Sequence, residues 1–370
     1  MPFPKNSKEQ DYAVNSSTNV APPWQDANPA TKPVKIATLV VILIVSLASN
    51  LLLILVVRRN VNKRMRTPNN YFILNMAFSD ILLVLYVVPQ YITMTACDMQ
   101  WLIDGIAGNI LCRFSFFIGQ MPMLVSTGSL FFITLDRFFL VFFPLRKIIT
   151  LHTARRIMAA VWTFALLLAA PLLAMSRLTE IRSGMFFCTV DFSLVIFVIN
   201  YFLFCYFFII AIPILTIIIM YIAIGFKIKQ GISPGNQLPS HQERRERVTH
   251  KVLVMLVAIV VALIVFRFPL ILLLIACFTG SISICSSFNL LFAAWLLTFA
   301  NTGVNPLIYF IFNEQFRHGA ILILQEVGRC CFKGTNEVHA IQPGAHQTTG
   351  SLKHETVQFD ERKQLGEKHH

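Results

Sequence analysis

VKIATLVVILIVSLASNLLLILVV, residues Val34–Val57, runs for 24 residues with one charge, Lys35, near its start. As a helix this segment is long enough to cross the ~30 Å hydrocarbon core of a bilayer. Six more runs of the same kind follow it: Tyr71–Thr93, Asn109–Phe142, Ile157–Met175, Leu194–Phe226, Val252–Phe278 and Phe288–Phe312. A chain folding in water has nowhere to hide seven helices that are apolar all round. With 56% hydrophobic and 13% charged residues over 370, the expected fold is an all-α membrane protein, a seven-transmembrane helix bundle.

The net charge of +13 raises nucleic-acid binding, but its placement argues against that. The linkers after runs one, three and five hold fifteen basic residues: Arg58, Arg59, Lys63, Arg64, Arg66, Arg146, Lys147, Arg155, Arg156, Lys227, Lys229, Arg244, Arg245, Arg247 and Lys251. The alternate linkers hold three, Arg113, Arg177 and Arg182. Such a bias predicts an extracellular N-terminus and a cytoplasmic C-terminus, with the basic loops against anionic membrane lipid.

Three regions are expected. Residues 1–33 are polar, with six prolines, Pro22, Pro23, Pro29 and Pro33 among them, and no signal-peptide core, and read as an extracellular disordered tail; the first run would act as its own signal anchor. Residues 34–331 form the membrane domain, and 332–370 a cytoplasmic disordered tail. Asn15-Ser16-Ser17 fits a glycosylation acceptor. After the seventh run, Phe316, Ala320, Ile321 and Leu324 recur at helical spacing, a short amphipathic helix on the inner leaflet. Cys330 and Cys331 beyond it are candidates for palmitoylation.

Ionisable groups at membrane depth are costly and mark function. Here they are Asp80, Arg267 and the pair Asp136-Arg137, with Asn50, Ser126, Asn301 and Asn305 adding neutral polarity. Asn305-Pro306 breaks a helix inside the membrane and frees a carbonyl that another group must satisfy. A transporter or channel, the alternative of another class, would need a polar pathway, a repeat or a filter, and none is visible. No phosphate loop, nucleophile elbow or metal-ligand cluster suggests an enzyme; His152 and His250 read as solvated loop residues.

At this point the chain resembles the rhodopsin-like (class A) G-protein-coupled receptors. The resemblance rests on Ser49-Asn50, on Asn75-Met76-Ala77-Phe78-Ser79-Asp80, on Cys112, on Asp136-Arg137-Phe138, on Trp162, on Pro213 and Tyr221, and on Asn305-Pro306-Leu307-Ile308-Tyr309, in order along seven runs. It implies a receptor for an extracellular ligand that activates a heterotrimeric G protein at the plasma membrane. It assigns the switch and coupling roles to Asp136, Arg137, Tyr221, Pro269, Asn305, Pro306 and Tyr309. A restraining acid low on the sixth span is replaced by Thr249, which implies basal signalling. Receptor kinase and arrestin are further implied partners, with Thr348, Thr349, Ser351 and Thr356 as acceptors.

The resemblance also implies a disulfide between Cys112 and Cys188; Cys277 and Cys285 are spaced for a second. Asp80, Ser126, Asn301 and Asn305 resemble the family's sodium site, with an internal hydrogen-bond network as the competing reading. Phe266-Arg267-Phe268-Pro269 stands where the family has C-W-x-P. Two readings of Arg267 stay open: a partner that replaces sodium beside Asp80, or a wall of the ligand pocket that binds an acidic group. The family's retinal-bearing Lys would fall at Phe299 and its amine-binding Asp at Gly119, so neither a photoreceptor nor a monoamine receptor is expected. The upper pocket is left with Gln90, Tyr91, Phe116, Gln120, Met123, Asn200 and Tyr201, similar to the peptide-binding subgroup. A neuropeptide ligand is favoured; a lipid or small organic anion using Arg267 is the alternative.

Overall fold

The structure, a computed structural model, describes residues 29–59, 65–143, 146, 148–182, 184–191, 195–231, 240–278 and 288–338. A 3₁₀ turn at Pro29–Thr31 leads into α1, Lys32–Arg59. α2 is Pro68–Ala96, α3 Gly105–Phe142, α4 Leu151–Ala169 and α5 Pro171–Met175. A hairpin follows, β1 at Ser176–Arg182 and β2 at Met185–Val190. α6, Val195–Phe204, passes through a π-helical stretch, Cys205–Ala211, into α7, Ile212–Gly231. α8 is Ser240–Phe278, α9 Phe288–Phe312 and α10 Glu314–Val338. Among the described residues, six helical segments are each long and apolar enough to cross a membrane. The fifth run forms the unbroken series α6, π stretch, α7.

Local chemistry sets several boundaries. Thr67 caps α2 by accepting from the Asn70 amide at 3.3 Å, with Pro68 at the first helical position, where its missing N–H costs nothing. Thr150 caps α4 through the Thr153 amide at 3.2 Å. Along α1, Leu39, Ser46, Ser49, Asn50, Leu53, Val56 and Val57 are buried at helical spacing, while Val41, Ile44, Leu51 and Leu55 are exposed on the other side. An apolar exposed face on a helix of this length is a lipid face.

The hairpin was not expected from the sequence. Its register pairs Leu178 with Cys188 and Thr179 with Phe187, with an irregularity between Glu180 and Arg182. Gly184 takes φ +78° in the turn, a left-handed conformation that suits glycine. The disulfide Cys112–Cys188 ties β2 to α3. Two further bonds hold the hairpin: the Leu178 amide donates to Asn109 Oδ1 at 3.2 Å, and the Trp101 amide to the Phe186 carbonyl at 2.7 Å.

The chain divides at Ile323 into two compact units. Within the first, the start of α10 buries Phe316, Ala320 and Ile323. Ile321 and Leu324, expected on the apolar face, are exposed; Ile323 holds the i+7 position from Phe316 instead. The second unit contains the rest of α10, which continues helical to Val338, beyond the boundary expected at 331.

Candidate functional site

α2, α3 and α9 bring together a buried polar core. Asp80 Oδ1 accepts from Ser126 Oγ at 2.9 Å, and Oδ2 from Asn305 Nδ2 at 3.4 Å. Ser126 Oγ also lies 3.0 Å from Ser79 Oγ. Asn301 is fully buried and neither its Oδ1 nor its Nδ2 finds a partner among the described residues; Asn305 Oδ1 is in the same position. Three buried amide atoms of Asn301 and Asn305 are thus left without a partner among the described residues, where buried polar atoms ordinarily have one. The donor set, carboxylate plus neutral oxygens, fits a hard monovalent cation.

α1 and α9 meet in a second polar seam. Asn50 Nδ2 donates to the carbonyls of Ser46 at 2.8 Å and Thr302 at 3.0 Å. Thr302 Oγ1 reaches Ser46 Oγ at 3.0 Å. Asn75 links α2 to two more helices: its Nδ2 donates to Ser129 Oγ at 2.9 Å, and its Oδ1 accepts from Trp162 Nε1 at 2.7 Å.

Arg267 is not bonded to this core, although its charge and that of Asp80 act on one another. It faces a small cavity lined by Met123 of α3, Tyr206 of the π stretch, Leu270 and Ile271 of α8, and Thr298 of α9. The residue is 4% exposed, and its Nε and Nη1 have no hydrogen-bond partner among the described residues. No described carboxylate lies within 4.0 Å of its guanidinium, Asp80 included. Leu270 and Ile271 could have been read from the sequence as the i+3 and i+4 neighbours of Arg267. Tyr206 could not, because the π stretch that turns it inward sits in a uniformly apolar run.

The other expected pocket residues divide. Gln90 Oε1 accepts a bond from Ser115 Oγ, so that amide is partly engaged between α2 and α3. Tyr91 packs edge-on against Phe299 at 4.9 Å and near Trp295 at 5.5 Å. Gln120 is buried with Nε2 unpartnered. Phe116 and Tyr201 pack around Leu172 and Met175, and the Tyr201 hydroxyl donates to the Leu168 carbonyl at 2.6 Å. Met123 joins Arg267 in the cavity wall. Asn200 is exposed, away from that cavity.

At the opposite end of α3, Arg137 Nη2 lies 3.5 Å from Asp136 Oδ2. The Tyr221 hydroxyl is 3.0 Å from Thr134 Oγ1, and since Thr134 donates to the Leu130 carbonyl at 2.9 Å, Tyr221 is the donor. Tyr309 is buried with its hydroxyl unpartnered among the described residues, its ring 5.8 Å from Phe316. Pro269 and Pro306 both sit inside helices, α8 and α9. Asn15 and Cys285, and the side chains of Cys277, Cys330, Cys331 and Thr249, lie outside the described residues.

The chain matches the 7 transmembrane receptor (rhodopsin family) model over residues 49–309. It is 28% identical over 283 residues to neuropeptide receptor 22 of Caenorhabditis elegans, covering 70% of this chain and 62% of that protein. To neuropeptide FF receptor 1 of Rattus norvegicus it is 26% identical over 343 residues, 86% of this chain and 76% of the relative. To the human substance-P receptor it is 25% identical over 338 residues, 87% and 78%. A multi-pass helical chain with these residues in register is a receptor and not an enzyme, and it belongs to the rhodopsin family of seven-transmembrane receptors.

Proposed function

We propose that this chain is a neuropeptide receptor of the plasma membrane, with its N-terminus outside, that activates a heterotrimeric G protein. The observation that carries this is the family match together with relatives named as neuropeptide receptors. Gln90, Gln120, Tyr91, Phe116, Met123, Tyr201 and Arg267 are the proposed contacts; Asn200 joins them only if the bundle repacks. An amide such as Gln120 Nε2, buried and unpartnered, suits a peptide carbonyl.

Signalling is a shift between two packings of the bundle. An agonist that binds the outward pocket of one packing better than the other biases the equilibrium, and α8, hinged at Pro269, moves away from α3. Arg137, paired with its neighbour Asp136 at 3.5 Å, then meets the transducer. Asp80, Ser126, Asn301 and Asn305 would hold a sodium ion in the resting packing, supplying positive charge to the buried carboxylate. Basic loops against anionic lipid, palmitate on Cys330 and Cys331, glycan on Asn15, a second bridge Cys277–Cys285, and receptor kinase and arrestin acting on the tail complete the proposal.

The test is a screen of neuropeptides against cells expressing the full chain, read by several second messengers. A peptide response that disappears with Arg137→Ala supports the reading. Failure of the purified receptor to stimulate nucleotide exchange on any transducer, with or without peptide, would end it.

A further inference from the structure

We propose that the Arg267 cavity is an anion-binding site that receives a carboxylate of the ligand. The proposal rests on the receptor reading above and names the ligand chemistry of its pocket.

A guanidinium carries five N–H donors, no acceptor, and a permanent positive charge. Here it is 4% exposed, and both Nε and Nη1 are unpartnered among the described residues. A buried charge without a partner is expensive, and a pocket keeps one only if something supplies the opposite charge. The other lining residues do not. Met123, Leu270 and Ile271 are apolar, Tyr206 offers only a neutral hydroxyl, and Thr298 donates its hydroxyl proton to the Ala294 carbonyl at 3.0 Å.

Asp80 is the other candidate partner. Its two oxygens already accept from Ser126 and Asn305, and it lies beyond 4.0 Å from the guanidinium, so its charge acts on Arg267 from a distance and leaves the N–H donors unbonded. A guanidinium with Nε and Nη1 unpartnered offers charge-assisted N–H donors to a carboxylate oxygen. The cavity, ≈ 10 Å³, has room for about one water-sized group. It takes one oxygen of the carboxylate, and the rest of the ligand must lie outside it. Gln120, one helical turn from Met123 on α3 with its own unpartnered Nε2, is placed to meet that part.

The probe is 3-phenylpropionate against purified full-length receptor, read by thermal unfolding, with 3-phenylpropionamide and sodium chloride at matched sodium as controls. Wild type should be stabilised saturably by the acid and not by the amide. Arg267→Gln should weaken the acid's effect at least about tenfold, and Arg267→Lys should keep part of it. Should Arg267→Gln not fold, the acid-against-amide comparison on wild type and Arg267→Lys still decides. Equal stabilisation by acid and amide, no response of wild type to the acid, or an undiminished response in Arg267→Gln overturns the proposal. So does the pattern of a counter-ion to Asp80: no acid response, with Arg267→Gln gaining a sodium stabilisation that wild type lacks. For an agonist peptide, free-acid and amidated forms, and Asp→Asn or Glu→Gln analogues, tell a terminal from a side-chain carboxylate. Nucleotide exchange on the same preparation separates the two readings: exchange without a carboxylate response sinks this inference alone.

Discussion

Asn50 Nδ2 donates to the carbonyl of Thr302 at 3.0 Å, and Thr302 is the residue four before Pro306. Proline has no N–H, so within α9 that carbonyl loses its helical donor. In lipid no water replaces it. Asn50, from α1, does. The break in α9 and the tie between α1 and α9 are therefore one feature. Asn50→Leu should lower the thermal stability of the purified receptor by about 1–3 kcal/mol, the cost of an orphaned buried carbonyl. Pro306→Ala restores the N–H, so the same Asn50 change made on that background should cost measurably less. Equal costs on both backgrounds would show that the carbonyl is not what Asn50 serves.

The bridge from Cys112 to Cys188 closes a loop of 76 residues and holds β2 against α3. Cys188→Ser should cost about 2–5 kcal/mol. Cys112→Ser should cost the same, and the double change no more than either alone. Unfolding midpoints with and without reductant check this: reductant should lower wild type toward the variants and leave the variants unmoved.

How much of this could be read in the sequence depends on the kind of interaction. The spans were legible because length and apolarity alone set them, as in Val34–Val57. So was the polar core: Asp80, Ser126 and Asn305 are conspicuous where almost everything else is apolar. The hairpin was not legible, because Ser176–Arg182 carries three charged residues and no clean alternation; its strand geometry comes from pairing with β2 and from the tie to α3. The π stretch at Cys205–Ala211 was hidden for the opposite reason, since every position there is apolar or aromatic and no period stands out. Asn75 and Trp162 were each visible, but their 2.7 Å bond is a tertiary fact that no local pattern encodes.

Tyr221 ties the fifth span to α3 one turn from Arg137 by donating to Thr134 Oγ1. That bond belongs to the packing in which Arg137 rests beside Asp136. Tyr221→Phe should raise basal nucleotide exchange roughly two- to twelvefold, the population shift for a bond of about 0.5–1.5 kcal/mol. Thr134→Val removes the same contact and should match it, and the double variant should add little. A flat basal rate in all three would assign the bond to stability alone.

At Gly303, α9 packs directly against Ser46 of α1. A Cβ there would lie 2.8 Å from Ser46 Oγ, while the nearest backbone atom of Ser46 is 3.5 Å away. The obstacle is therefore a single hydroxyl. Gly303→Ala should destabilise by about 1–3 kcal/mol through overpacking. Ser46→Ala removes the obstacle at little cost, because Thr302 Oγ1 keeps its alternative acceptor, the Phe299 carbonyl at 2.7 Å. The pair Ser46→Ala, Gly303→Ala should thus unfold at a higher temperature than Gly303→Ala alone. If the second change lowers the midpoint further, the approach of the two helices is governed by backbone and not by that oxygen.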